Sequence, residues 1–200
     1  MANDGADVAR QGAGVLRAGG VIAYPTDTFY GLAVDPRNAH AIATLFALKG
    51  RYAGKPSPLI VASIEQARLA VQFNAVAEQL AARFWPGPLS LVLPVTPALC
   101  RAAIGGGTTA AVRVPNHGVA RAIAEAFGFC ITATSANVSG RPPARTPAEI
   151  DPEVVARVDL VIDGVTPGGE PSTIVDLTGA TPLLVRAGAI AWERVLESLK

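Results

Sequence analysis

Val21-Ile22-Ala23-Tyr24-Pro25-Thr26-Asp27-Thr28-Phe29-Tyr30-Gly31 sets a short apolar run against a proline and then a polar loop. Four consecutive apolar residues predict a buried strand, and Pro25 stops it. Upstream, the spacing from about Asp7 to Ala18 predicts a helix closed by Gly19-Gly20. Downstream, Ile42, Leu45, Phe46 and Lys49 fall at helical spacing after His40. A strand between two helices sets the pattern for the rest of the chain.

Further strands are predicted at Leu59 to Val61, Leu89 to Val95, Thr109 to Val114, Phe129 to Thr134, Val158 to Ile162, Thr173 to Leu177 and Leu183 to Arg186. Helices are predicted through Ala77, Leu80, Ala81 and Phe84, through Val119 to Phe127, and through Trp192 to Leu199. Thr146-Pro147-Ala148-Glu149 has the form of a capping box opening another helix. The alternation predicts an α/β fold, and the absence of a repeat or linker predicts one domain over residues 1–200.

Composition narrows the function. Seventeen basic residues against sixteen acidic give a net charge of +1, which argues against a dedicated nucleic-acid binder. Hydrophobic residues make up 50% of the 200, enough for a sizeable core. Cys100 and Cys130 fit no disulfide framework and are read as reduced thiols. His40 and His117 lack metal-ligand spacing, so no metal site is predicted. The first residues do not form a signal peptide, and no membrane span is predicted. These features predict a cytoplasmic protein.

Several polar segments follow apolar strands. Thr26, Asp27 and Thr28 can hold a small polar ligand or satisfy their own turn. Lys49 and Arg51 flank Gly50, where they suit a polyphosphate or simply complement a helix terminus. Arg113 is a charge in an apolar strand and requires a partner, a carboxylate ligand or an outward-facing position. Thr132 to Gly140 supplies small hydroxyl and amide groups of the kind that let backbone approach a nucleotide. Ser172 and Arg186 place a hydroxyl and a cation at further strand ends. The P-loop and dinucleotide fingerprints are both missing.

In this order the segments resemble the YrdC-type threonylcarbamoyl-AMP synthase family, from about Gly19 to Gly188. Lys49-x-Arg51 followed by Ser135-x-Asn137 is the strongest signature. Tyr24-Pro25-Thr26-Asp27-Thr28, Trp85-Pro86-Gly87-Pro88-Leu89, Val112-Arg113-Val114-Pro115 and Ser172-Thr173-Ile174-Val175-Asp176 add to it. The resemblance implies a twisted mixed sheet, flanked by helices, around a large concave, positively lined cavity. It also implies that L-threonine, bicarbonate and ATP, with Mg²⁺, yield L-threonylcarbamoyladenylate and pyrophosphate. Separate proteins then transfer the threonylcarbamoyl group to tRNA, with which this chain has at most weak contact.

By position, the resemblance implies threonine contacts at Thr28, Arg113, Ala133 and Ser172. It implies ATP contacts at Lys49, Arg51, Thr109, Ser135, Asn137 and Arg186, with Lys49 and Arg51 in the catalytic role. The segment from Arg51 to Leu59 is about two residues longer than the family pattern, and Ala62 stands where that pattern has a histidine. Ser57, on the ATP side, or Lys55 is expected to supply the contact that is thereby lost. A double-stranded RNA or tRNA module, and a paralogue with another nucleotide-dependent activity, are the competing readings.

Overall fold

The computed structural model describes residues 3–50 and 56–200. Helix α1 (Asn3–Arg17) leads into β1 (Ile22–Tyr24) and β2 (Gly31–Ala33), followed by α2 (Ala39–Lys49) and β3 (Leu59–Ile60). Next come α3 (Ile64–Ala67), α4 (Ala75–Phe84), β4 (Leu89–Pro94), β5 (Thr109–Arg113) and α5 (Gly118–Phe127). The chain continues through β6 (Ile131–Thr132), β7 (Thr134–Ser135), α6 (Pro152–Val155), β8 (Leu160–Val161), β9 (Thr173–Asp176), β10 (Leu183–Arg186) and α7 (Trp192–Glu197).

The expected single sheet is divided into two mixed sheets. One has the order β7-β2-β1-β8 and the other β10-β9-β4-β5-β3-β6. The run at 129–134 does not remain one strand. Thr132 pairs with Leu59 of β3, whereas Thr134 pairs with Leu32 of β2. Ala133 is the point of exchange, and its N–H donates to the Pro58 carbonyl at 2.8 Å. Thr132 holds the seam from the other side: its hydroxyl donates to the Leu32 carbonyl at 3.2 Å and accepts from the Val34 N–H at 3.0 Å. The Tyr24 hydroxyl donates to the Thr132 carbonyl at 3.0 Å.

The burial of β1 explains its uninterrupted apolar run. Ile22 and Tyr24 pack into the larger core, with Leu16 of α1 and Ile123 of α5. Val21 and Ala23 face the opposite way, into a second core with Ile42 and Leu45 of α2. A strand covered on both faces has no solvent side on which polar residues could alternate.

The segment after Thr146 departs from expectation. It forms only a three-residue 3₁₀ turn, Pro147–Glu149, and the Thr146 side chain caps nothing. The turn's C-cap, Ile150, adopts extended geometry (φ −67°, ψ 131°) and ends the turn; Asp151, restricted by the following Pro152, is non-helical as well and caps α6 instead.

Candidate active site

The two sheets leave a cleft of about 370 Å³ where the β1–β2 loop, the start of β2, the end of β5 and the β6–β7 exchange converge. Thr28, Arg113, Ala133, Ser135, Asn137, Ser172 and Arg186 all line it. So do Thr26, a candidate from the sequence, and Pro58, which the sequence had not singled out. Among the described residues the charged lining consists of Arg113 and Arg186 alone, so the cleft is cationic. Burial pulls the Arg186 guanidinium below its ordinary pKa, and the nearby charge of Arg113 adds to the effect.

At one end, Arg113 closes β5 with its side chain almost fully buried. Its Nη1 donates to the Asp27 carboxylate, and its Nη2 lies 3.5 Å from Thr28 Oγ1. The expectation of a partner or a ligand thus resolves into a partner on one side of the guanidinium and the cleft on the other. The Thr26 hydroxyl donates to the Phe29 carbonyl at 2.7 Å and lies 3.2 Å from the Thr28 hydroxyl. Because the Ala133 N–H is held by Pro58, the group that Ala133 can still offer a ligand is its carbonyl.

At the opposite side, the β7 loop is fixed by its own polar groups. Ser135 Oγ donates to Asn137 Oδ1 at 2.6 Å, and Asn137 Nδ2 donates to the Arg141 carbonyl. The loop is also tied to α2 through Lys49. The Lys49 ammonium donates to the carbonyls of Ser135 and Asn137, the latter at 2.8 Å, and to Asn137 Oδ1 at 3.2 Å. Lys49 is only 3% exposed and is not among the residues lining the cleft. It braces the Ser135–Asn137 loop from behind; the expected contact with phosphate is a further role for the same ammonium.

A third group comes from β9 and β10. Arg186 donates through Nε and Nη2 to the Ser172 carbonyl, at 3.0 and 2.6 Å, and through Nη2 to Ser172 Oγ at 2.9 Å. The Ser172 hydroxyl also lies 3.1 Å from the buried Ser90 hydroxyl. Gly188 makes this approach possible, because a Cβ there would overlap the Pro171 carbonyl oxygen.

Two other expected contacts fall elsewhere. Thr109 begins β5 opposite Pro94, four residues from Arg113, and does not line the cleft. At about 3.3 Å per residue, that places it roughly 13 Å along the strand from the guanidinium-bearing end. Ser57 is buried beneath the surface with no hydrogen-bond partner for its hydroxyl among the described residues. Arg51 and Lys55 lie outside the described residues. No group of three or more metal-ligating His, Cys, Asp or Glu side chains occurs among the described residues.

The chain is thus a mixed α/β protein whose cationic cleft, rich in hydroxyls, is bordered by a tight Ser-x-Asn loop. The particular family follows from comparison. The Sua5/YciO/YrdC model, described as "Telomere recombination", matches residues 14–188, and the chain belongs to that family. It is 44% identical over 165 residues to the threonylcarbamoyl-AMP synthase of Halorhodospira halophila, covering 82% of this chain and 86% of the relative. It is 39% identical over 188 residues to the threonylcarbamoyl-AMP synthase of Pyrococcus abyssi, covering 93% of this chain but 55% of the relative. This chain therefore spans about half the length of the archaeal protein. A solved structure of Pyrococcus abyssi Sua5 complexed with L-threonine superposes with a TM-score of 0.91 at 37% identity, over 96% of this chain and 57% of the other.

Proposed function

We propose that this chain is a threonylcarbamoyl-AMP synthase. The observation that carries the reading is one cleft bordered by a buried Arg113–Thr28 pair and by the Ser135–Asn137 loop, with Arg186 as a second cation. The first pair suits an amino-acid carboxylate, and the second region suits a nucleotide. The relatives named as synthases, and the threonine-bound Sua5, support this division.

In the proposed reaction the neutral amine of L-threonine takes up carbon dioxide derived from bicarbonate, giving a carbamate and a proton. A carbamate oxygen then attacks the α-phosphorus of MgATP. The bond to the bridging oxygen breaks, and pyrophosphate leaves with its electron pair. Two anions must meet, so the protein's task is alignment and charge neutralisation. Arg113 holds the carboxylate through paired N–H groups, and Arg186 offsets developing phosphate charge. Thr28, Ser172 and the Ala133 carbonyl orient the amino acid, while the loop of Ser135 and Asn137 receives the nucleotide. Lys49 maintains that loop, and the Lys-x-Arg motif assigns Arg51 to the ATP phosphates. Magnesium enters with the triphosphate, held by phosphate and water oxygens, as the neutral donors of the cleft permit.

The product passes to the proteins that modify tRNA. The net charge of +1 supports only weak contact with tRNA by this chain itself. Both cysteines are free, in keeping with a cytoplasmic protein. Among the described residues no helix is long and apolar enough to cross a membrane.

The direct test follows pyrophosphate release from ATP while threonine and bicarbonate are omitted in turn. Release should require both. Undiminished release without threonine would leave a simple ATPase, and no turnover with tight RNA binding would favour a binding module.

A further inference from the structure

Asp27 is the acidic residue of the β1–β2 loop, and it does not line the cleft. Its side chain is nevertheless as buried as that of Arg113, each being 7% exposed. One carboxylate oxygen accepts from Arg113 Nη1, and the other accepts from the Asn116 backbone N–H at 2.9 Å. A single side chain thus fixes the guanidinium at the end of β5 and the backbone that leads into α5. Thr28, the next residue in the chain, meets the other terminal nitrogen of the same guanidinium.

We propose that Asp27 is a positioning residue for the amino-acid end of the cleft. It acts through Arg113, holding Nη1 so that the remaining N–H groups present a fixed fork to the substrate carboxylate. The proposal rests on the synthase reading above. It assigns Asp27 no contact with substrate.

Two effects oppose each other when the carboxylate is removed. An anion behind Arg113 weakens its pull on a second anion, so removal would tighten threonine binding if the guanidinium stayed in place. A buried guanidinium without its partner does not stay in place at no cost, however. It is left as an uncompensated charge and moves toward water or another acceptor. Displacement of a binding group by about 1 Å is enough to lower the rate on the order of a hundredfold. The double anchoring, to Arg113 and to Asn116, makes loss of geometry the larger effect.

The test is a cycle of Asp27→Asn, Arg113→Lys and the double variant in the full chain. Threonine binding is read by calorimetry, with ATP affinity and thermal midpoint as controls. Asn keeps the shape of Asp27 but has one acceptor oxygen for two donors, so one contact becomes donor against donor. Asp27→Asn should weaken threonine roughly tenfold or more while ATP affinity stays within about twofold. In the Arg113→Lys background the same change should add little, because its route is already cut. Tighter threonine binding in Asp27→Asn, or an undiminished effect in the Arg113→Lys background, overturns the proposal. So does an equal loss of both substrates. If the unsubstituted chain binds threonine and needs it for pyrophosphate release, these failures strike the role of Asp27 alone. If it does not, the synthase reading has failed first.

Discussion

Lys49 and Asn137 lie 88 positions apart in the chain, yet the ammonium of one donates to both the carbonyl and the side-chain oxygen of the other. A buried cation answered by carbonyl and amide oxygens is a structural clamp as well as a charge. It joins the last residue of α2 to the loop that borders the cleft.

Lys49→Met should therefore lower stability and ATP affinity together. Methionine keeps an unbranched stem of similar length but leaves the Ser135 and Asn137 carbonyls without this donor. Loss of a hydrogen bond to a charged group costs about 1.5–3 kcal/mol, visible as a lower urea midpoint at unchanged slope. Weaker ATP binding with unaltered stability would instead place Lys49 directly on phosphate.

What the sequence revealed of this site, and what it hid, has a physical basis. Arg113 stood out because a charge in an apolar strand needs an answer. Its partner Asp27 is 86 residues away, and no local pattern encodes such a pairing. Strand β1 was legible as a continuous apolar run, whereas β2, only Gly31-Leu32-Ala33, was too short to show a period. The exchange of sheets at Ala133 was invisible for another reason. Residues on both sides of it suit a strand, and only tertiary pairing with Leu59 and Leu32 divides them. Lys49 at a helix end admitted two readings, since a last-turn cation complements the helix dipole wherever its side chain turns.

Alkali should unfold the protein through its buried tyrosines. Tyr24 donates to the Thr132 carbonyl, and Tyr30 donates to the carbonyls of Ile162 and Gly164 at 3.0 and 2.8 Å. Only the neutral phenol can donate. Burial pushes the Tyr30 pKa up to about 12 and raises that of Tyr24 as well. Above about pH 10 the unfolded chain releases phenolic protons that the folded chain retains, so stability falls as pH rises. The contribution is complete below about pH 10 and is lost between there and about pH 12 for Tyr30. Denaturant titrations across this range should show it. Tyr30→Phe should be less stable at neutral pH and show a shallower alkaline decline. An equally steep decline would exclude Tyr30 as a source.

Thr26 should set the polarity of the amino-acid site. A hydroxyl has one hydrogen, and that of Thr26 goes to the Phe29 carbonyl at 2.7 Å. Its oxygen can then only accept, and it already accepts from the Thr28 N–H at 3.2 Å. In the 3.2 Å contact between the two hydroxyls, Thr28 must be the donor. The Thr28 oxygen, facing Arg113 Nη2 at 3.5 Å with one lone pair, keeps the other for the cleft, so it welcomes an N–H or O–H of a ligand and repels a carboxylate oxygen. That leaves the carboxylate to Arg113 and gives the bound amino acid one direction. Thr26→Val preserves volume but frees the Thr28 hydroxyl to turn and leaves the Phe29 carbonyl without this donor. Threonine should bind on the order of five- to tenfold more weakly, as befits one net hydrogen bond of about 1 kcal/mol. Thr26→Ser retains the hydroxyl and should bind threonine nearly normally. Calorimetric titration of both variants, with a thermal melt to separate local from global loss, provides the check. Equal affinities in Val and Ser would mean that Thr28 takes its orientation from Arg113 alone.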